Sequence, residues 1–276
     1  MNILNDIKAA YNRANTVEKI IYIQVALFIV ALLFRSFVQN WFALKPSFDV
    51  FLTQPWTIIT YGFFHNNFIH LIFNLIFLYY IGNLFVGFFT VKQFLNYFIL
   101  GIITGGLSFL ILSPINAGLI GSSAGIMAVL VGLATKIPHY ELRFNLIGGV
   151  KLWIIAALYV FISLLGLNGM NSGGNIAHLG GALIGFLYTK QLSNGNDIGR
   201  FVVIFINFIN NLFQSKKQKP LKTVYKKKTN IKRKPTYKEQ NINQQKIDAI
   251  LDKISKSGYE TLNKQEKDFL FKAGKD

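Results

Sequence analysis

The sequence predicts an all-α, polytopic membrane protein built from six transmembrane helices. Three observations predict it. Apolar residues gather in blocks near the ~20 residues that a bilayer needs. Charged residues make up only 15% of the chain, against about 25% in an ordinary soluble domain. Mean hydropathy is +0.38, and 26 of the 276 residues are Phe. Cysteine is absent, which excludes disulfides, thiolate metal sites and a cysteine nucleophile. No cleavable signal peptide is expected. The first seventeen residues are mixed polar, and the apolar run after them is long enough to remain as an anchor.

The six apolar blocks run roughly over 18–38, 68–89, 91–113, 119–136, 152–169 and 174–190. Phe89-Thr90 and Lys92 mark a tight turn between the second and third. Orientation follows from the basic residues. Lys8, Arg13 and Lys19 flank the first block, and Lys92 lies between the second and third. Lys136, Arg143 and Lys151 lie between the fourth and fifth, and the basic tail follows the sixth. The opposite loops hold only Arg35 and Lys45. The sequence therefore predicts a multi-pass protein of the cell (inner) membrane with both termini cytoplasmic.

Five regions are expected: a cytoplasmic N-terminus (1–17), the six-span membrane domain (18–190), an interfacial helix (191–214), a basic linker (215–245) and a cytoplasmic helical hairpin (246–276). The apolar stretch Phe201–Phe213 is about 13 residues long, short for a span, and a seventh span would put the basic tail outside. The formal charge of +17 is concentrated after it: Lys216 to Lys238 holds eleven Lys/Arg and no acid before Glu239. A basic segment beside a span suits anionic lipid better than nucleic acid, so anionic lipid is the expected partner of the tail and nucleic acid is not expected. In the hairpin, Ile247, Ile250, Leu251 and Ile254 share a helical face. Gly258 stops that helix, and Asn263 with Glu266 forms a capping-box pattern for a second carrying Phe269, Leu270 and Phe271.

Polar side chains inside spans are costly and are functional candidates by default. The second, fourth and sixth spans all enter from the outer side, and each brings polar residues in near its start. These are His65, Asn66, Asn67, His70 and Asn74; then Ser122 and Ser123; then Asn171, Ser172, Asn175 and His178. His70 and Asn74 are four apart and share a helix face. The acids before Lys190 are Asp6, Glu18, Asp49 and Glu141, none within a span, so a buried aspartyl pair is excluded. No HExxH zinc motif occurs. A Ser–His pair remains, in which an imidazole takes the hydroxyl proton and later returns it to the leaving amine. The developing oxyanion needs donors, for which the Ser123 N–H, His70 and Asn74 are suited. Gly125, Ala128 and Gly132 line a face of span four, Gly181 and Gly185 one of span six, and Gly121 frees the backbone before the serine. Plainer readings stand beside these. A membrane serine usually bonds its own turn, an asparagine is ordinary interhelical glue, and the glycine faces are packing. His65 could join His70 and His178 around a metal, although its spacing faces it elsewhere, and Asp49 could orient the base.

These residues resemble the rhomboid family of intramembrane serine proteases. The resemblance runs from Gln54 to about Lys190. His65-Asn-Asn-Phe-Ile-His70-Leu-Ile-Phe-Asn74 resembles the family's HxxxxHxxxN, Gly121-Ser122-Ser123-Ala124 its GxSG, and Ala177-His178-Leu-Gly-Gly181-Ala-Leu-Ile-Gly185 its AHxxGxxxG. The resemblance implies a rhomboid-like six-helix bundle with Ser123 as nucleophile, His178 as general base, and His70 and Asn74 as oxyanion donors. It also implies a half-submerged loop after span one, a fifth helix that tilts to admit substrate, cleavage of single-span membrane proteins near the outer face, and no cofactor. Three positions depart from the family pattern: Thr57 follows Trp56 where an Arg is usual, Ala124 replaces a Gly, and Met127 stands where an aromatic often stacks on the base. A catalytically inactive relative that binds membrane clients is the alternative. A transporter would need internal repeats or relay residues at the midplane, and neither is present.

Overall fold

The computed structural model describes residues 3–114, 117–144, 148–202, 204 and 237–273. Two compact units result, Met1–Lys216 and Lys217–Asp276. In the first, α1 (Ile3–Arg13) precedes α2 (Thr16–Leu33), whose start is fixed by a capping box between Asn15 and Glu18. Three short helices follow: α3 (Arg35–Trp41), α4 (Phe48–Thr53) and α5 (Thr57–Thr60). Then come α6 (Phe68–Phe88), α7 (Val91–Leu112), α8 (Ser123–Lys136), α9 (Leu152–Leu165) and α10 (Ser172–Ser193).

Three of these helices, α2, α6 and α7, are long and apolar enough to cross a membrane by length and composition alone. The apolar helices α8 and α9 are shorter, and α10 is long but carries Ser, Asn, His and several Gly in its first half. The outer surface suits lipid rather than water. Leu32, Leu33, Ile69, Phe73, Tyr80, Leu158 and Phe161 are all exposed, more large apolar side chains than the surface of a soluble monomer usually presents. The chain is thus a membrane helical bundle, as the sequence predicts.

Element boundaries differ from expectation in three places. The first span ends at Leu33, not near residue 38, because the chain breaks at Phe34 (φ −127°, ψ 47°) and restarts as α3. Phe37 and Val38 carry the apolar pattern on past Arg35-Ser36, which hides that break. The fourth begins at Ser123, not 119, because Leu119 pairs with Leu44 in an isolated β-bridge and holds the preceding segment extended. A two-stranded antiparallel hairpin, β1 (Glu141–Phe144) with β2 (Gly148–Lys151), joins α8 to α9. It adds a minor element to an otherwise all-α protein. The turn at Phe89-Thr90 is present, with Thr90 and Gln93 forming the capping box of α7.

Helix α8 is the axis of the bundle, with ten of its fourteen residues buried. It packs on α7 and α10 at backbone distance. A methyl on Gly181 or Gly185 would press into the carbonyl oxygens of Ala124 or Ala128, so α10 can approach α8 only with glycine there. Gly125 and Gly132 face Phe98 and Tyr97 of α7 instead. The face predicted for span four therefore divides between two neighbours. By contrast α9 buries only Leu152, Ala156 and Ser163.

The second unit contains the helices Tyr237–Ser257 and Lys264–Ala273. The first begins inside the stretch read as linker, nine residues ahead of the predicted hairpin. Pro235 is the last proline before it, and nothing after that residue resists helix formation. Gly258 (φ +80°) ends it, and the capping box at Asn263 and Glu266 is formed in both directions. Lys253 reaches Glu266 at 3.0 Å. Those two partners, the Asn263 N–H first, hold the exposed Glu266 carboxyl below its usual range. Ile250 and Leu262 are buried, whereas Leu251 and Phe271 are exposed, so the apolar face is narrower than the sequence pattern. Of the expected interfacial helix (191–214), residues 191–202 and 204 are described: α10 runs on to Ser193, a turn follows and helix resumes at Arg200, while 205–214 and the basic linker as far as residue 236 lie outside the described residues.

Candidate active site

The N-terminal ends of α6, α8 and α10 meet at one end of the bundle around a cavity of about 630 Å³. His70, Asn74, Ser123 and His178 all line it, with Asn66 and Asn171 adding polar surface. Local folding explains each placement. Asn67 caps α6 through its Oδ1, which accepts the His70 N–H at 2.8 Å. His70 therefore sits in the first turn, and Asn74 one turn further in on the same side. Ser123 is the first residue of α8, so its N–H is among those a helix leaves without an internal partner. His178 lies in the second turn of α10.

The segment before Ser123 is pinned at several points. Leu44 and Leu119 exchange backbone hydrogen bonds of 3.0 and 2.8 Å, and the Gly121 N–H donates to the Tyr61 carbonyl at 2.9 Å. Tyr61 is itself anchored, its hydroxyl donating to the Ile102 carbonyl at 2.6 Å. Gly121 has φ +131°, a conformation that favours glycine. A second reason is steric: a methyl there would stand 2.7 Å from the His70 ring.

Within this frame His178 Nε2 lies 2.7 Å from Ser123 Oγ, within reach for proton transfer. His178 Nδ1 lies 3.3 Å from Ser163 Oγ on α9. The ring of Tyr159, also on α9, stacks on the imidazole at 5.5 Å and 29°. Asp49 sits in the first turn of α4; the group on Nδ1 is a hydroxyl. The Asn74 amide donates one hydrogen to the His70 carbonyl at 2.8 Å and has a second to offer.

His65 needs a correction. It does not face away: its ring meets that of His70 edge-on at 5.1 Å, and its Nε2 lies 3.4 Å from Ser122 Oγ. Ser122 in turn donates to Gln24 Oε1 at 3.3 Å. These three side chains are buried and form a polar layer behind His70. Five residues apart on a regular helix would diverge, but His65 precedes the helix that begins at Phe68, so helical spacing does not apply to it.

Sequence reasoning missed Tyr61, Leu44, Tyr159 and Ser163. Only Ser163 had a legible signal, as a hydroxyl in an otherwise apolar segment. The departures from the family pattern have local accommodations. The Ala124 methyl faces Gly105 on α7, where a second methyl would come within 2.5 Å. In the loop after α2, Trp56 stacks on Trp41 and donates to its carbonyl at 2.7 Å. Thr57 bonds the Gln54 carbonyl at 2.7 Å and is buried.

The family model described as the rhomboid domain matches residues 52–195, more than half of the chain and inclusive of every cavity residue named above. A second family model, described as a family of unknown function, matches residues 235–272, which span the two C-terminal helices. Among curated proteins, none matches the chain.

Proposed function

The chain belongs to the rhomboid family, and from that premise we propose that it is an active intramembrane serine endopeptidase using Ser123 and His178 as a dyad. One observation carries the reading: the 2.7 Å approach of His178 Nε2 to Ser123 Oγ at the floor of a polar cavity. As Ser123 Oγ attacks the scissile carbonyl carbon, Nε2 takes the hydroxyl proton and passes it to the leaving amine nitrogen. A water then enters and attacks the acyl-enzyme carbonyl carbon as His178 Nε2 takes one of its protons; Nε2 returns that proton to Ser123 Oγ as the ester C–O bond breaks, releasing the product carboxyl group. The oxyanion is met by the Ser123 N–H, His70 and the second amide hydrogen of Asn74. Such donors are worth about 2.7–4 kcal/mol each.

The substrates in this reading are single-span membrane proteins, cut near the outer face, with both termini of the enzyme cytoplasmic in the inner membrane. Helix packing holds the geometry through Gly121, Gly125, Gly181 and Gly185. The basic segment after Lys216 is assigned to anionic lipid. Cleavage of a fluorescent transmembrane substrate in liposomes is the direct test. Ser123→Ala should abolish it, and activity surviving that change rejects the assignment. A fluorophosphonate adduct on Ser123 separates an enzyme from an inactive client-binding relative, which would form none.

A further inference from the structure

The buried face of α9 is Leu152, Ala156 and Ser163, a stripe at helical spacing in which two members are apolar and one is not. Packing alone does not call for a hydroxyl there, since alanine would fill almost the same space. A membrane serine commonly bonds the carbonyl one turn back, and Ser163 Oγ does so, donating to the Tyr159 carbonyl at 3.0 Å. The same oxygen lies 3.3 Å from His178 Nδ1. A hydroxyl has one hydrogen and two lone pairs. A carbonyl only accepts, so the Ser163 hydrogen is committed to Tyr159, and the contact with His178 requires the proton on Nδ1. The imidazole then has its lone pair on Nε2, the nitrogen 2.7 Å from Ser123 Oγ. The Tyr159 ring, stacked on the imidazole, sets the ring plane. It comes from α9, whereas the sequence carries Met127 on α8 where an aromatic would serve.

We infer that Ser163 is a positioning residue of the catalytic centre, accepting the Nδ1 proton of His178 so that Nε2 is free to deprotonate Ser123, with the Tyr159 ring holding the imidazole in plane. This deepens the protease reading and rests on it. A neutral acceptor suits the location. A carboxylate would orient the base more strongly, but a buried ionised side chain carries a large desolvation penalty. A hydroxyl bonded to its own helix carries little such penalty.

The test uses the full-length protein in liposomes, in wild-type, Ser163→Ala and Ser163→Thr forms. Ser163→Ala should lower kcat by about tenfold, the worth of one orienting hydrogen bond, and leave KM unchanged. Thermal unfolding should stay the same, and Ser163→Thr should restore most of the lost rate. Histidine-selective 15N spectra supply a second readout, with His178 identified by its loss in His178→Ala. Wild type should carry the proton on Nδ1, and Ser163→Ala should show a mixture of tautomers. A wild-type His178 protonated on Nε2, or kinetics of Ser163→Ala equal to wild type, overturns the inference. If wild type neither cleaves nor takes a fluorophosphonate, the protease reading has failed instead, and the tautomer measurement still decides the geometry.

Discussion

The two ends of the bundle spend buried polarity in opposite ways. Away from the cavity, where α7 begins and α10 ends, Tyr97 and Thr189 share a 2.7 Å hydrogen bond. The single Thr189 hydroxyl hydrogen is shared between the Gly132 and Gly185 carbonyls, each 3.0 Å from its oxygen, so Tyr97 is the donor to Thr189. Asn96 donates to the Tyr188 hydroxyl at 2.9 Å, Tyr188 donates to Asp197, and Asp197 caps the Gly199 N–H. Tyr97 and Tyr188 stack at 4.2 Å. At the Ser123 end the polar groups surround a void. Among the described residues, six buried side-chain atoms lack a partner, and only Asn96 Oδ1 belongs to the far end. The others, on Gln24, Gln54, His65, Ser113 and Ser172, do not line the cavity; Gln24 and His65 belong to the polar layer behind His70. In a low-dielectric interior a satisfied network rigidifies, whereas an incomplete one is a cost kept for function. One end closes the fold and the other leaves capacity for a substrate and water.

Three substitutions sharpen or break this contrast. The largest effect is expected from Asn74→Ala, which removes the proposed oxyanion donor and should lower kcat about 10²–10³-fold with little change in thermal unfolding. A large loss of stability without that kinetic effect would make Asn74 a packing residue and erase the distinction between the ends. Next is Gly181→Ala, which drives a methyl toward the Ala124 carbonyl. It should cost about 1–3 kcal/mol of stability and depress activity in parallel, because α8 and α10 carry both ends. Smallest is Tyr188→Phe, which leaves Asn96 and Asp197 without their shared hydroxyl. It should lower the free energy of unfolding by about 1–2 kcal/mol and leave kcat and KM in place. A fall in kcat with unchanged melting would show that the far end also serves chemistry.

Much of this was legible beforehand. The helices α6 and α7 begin and end within a residue of the predicted blocks, since Asn67 and Thr90 are strong caps and apolar content falls at both ends. The start of α8 was not legible, because a backbone bridge from Leu44 to Leu119, 75 positions apart, holds the chain extended there. Span one was overextended because Phe37 and Val38 continue the apolar pattern beyond Arg35-Ser36 and no Pro or Gly marks the break at Phe34. The site residues were recognisable as polar groups at one depth, but their partners were not. Tyr159 standing in for an aromatic at Met127 is a substitution between helices, and no local pattern on α8 reports it.

The sequence by itself determined that the chain lives in a membrane, that six apolar segments build it, and which chemistry is available, because a bilayer excludes charge and leaves few reactive groups to choose among. Only the tertiary structure decided which neighbour each group meets. Ser122, the cap residue just ahead of α8, turns to Gln24 and His65, while Ser123, the first residue of the helix, turns to His178. The serine on α9 that meets the other side of that imidazole is 15 residues from it in the chain. Their contact exists only because glycines let α10 settle against α8 and bring His178 within reach of both.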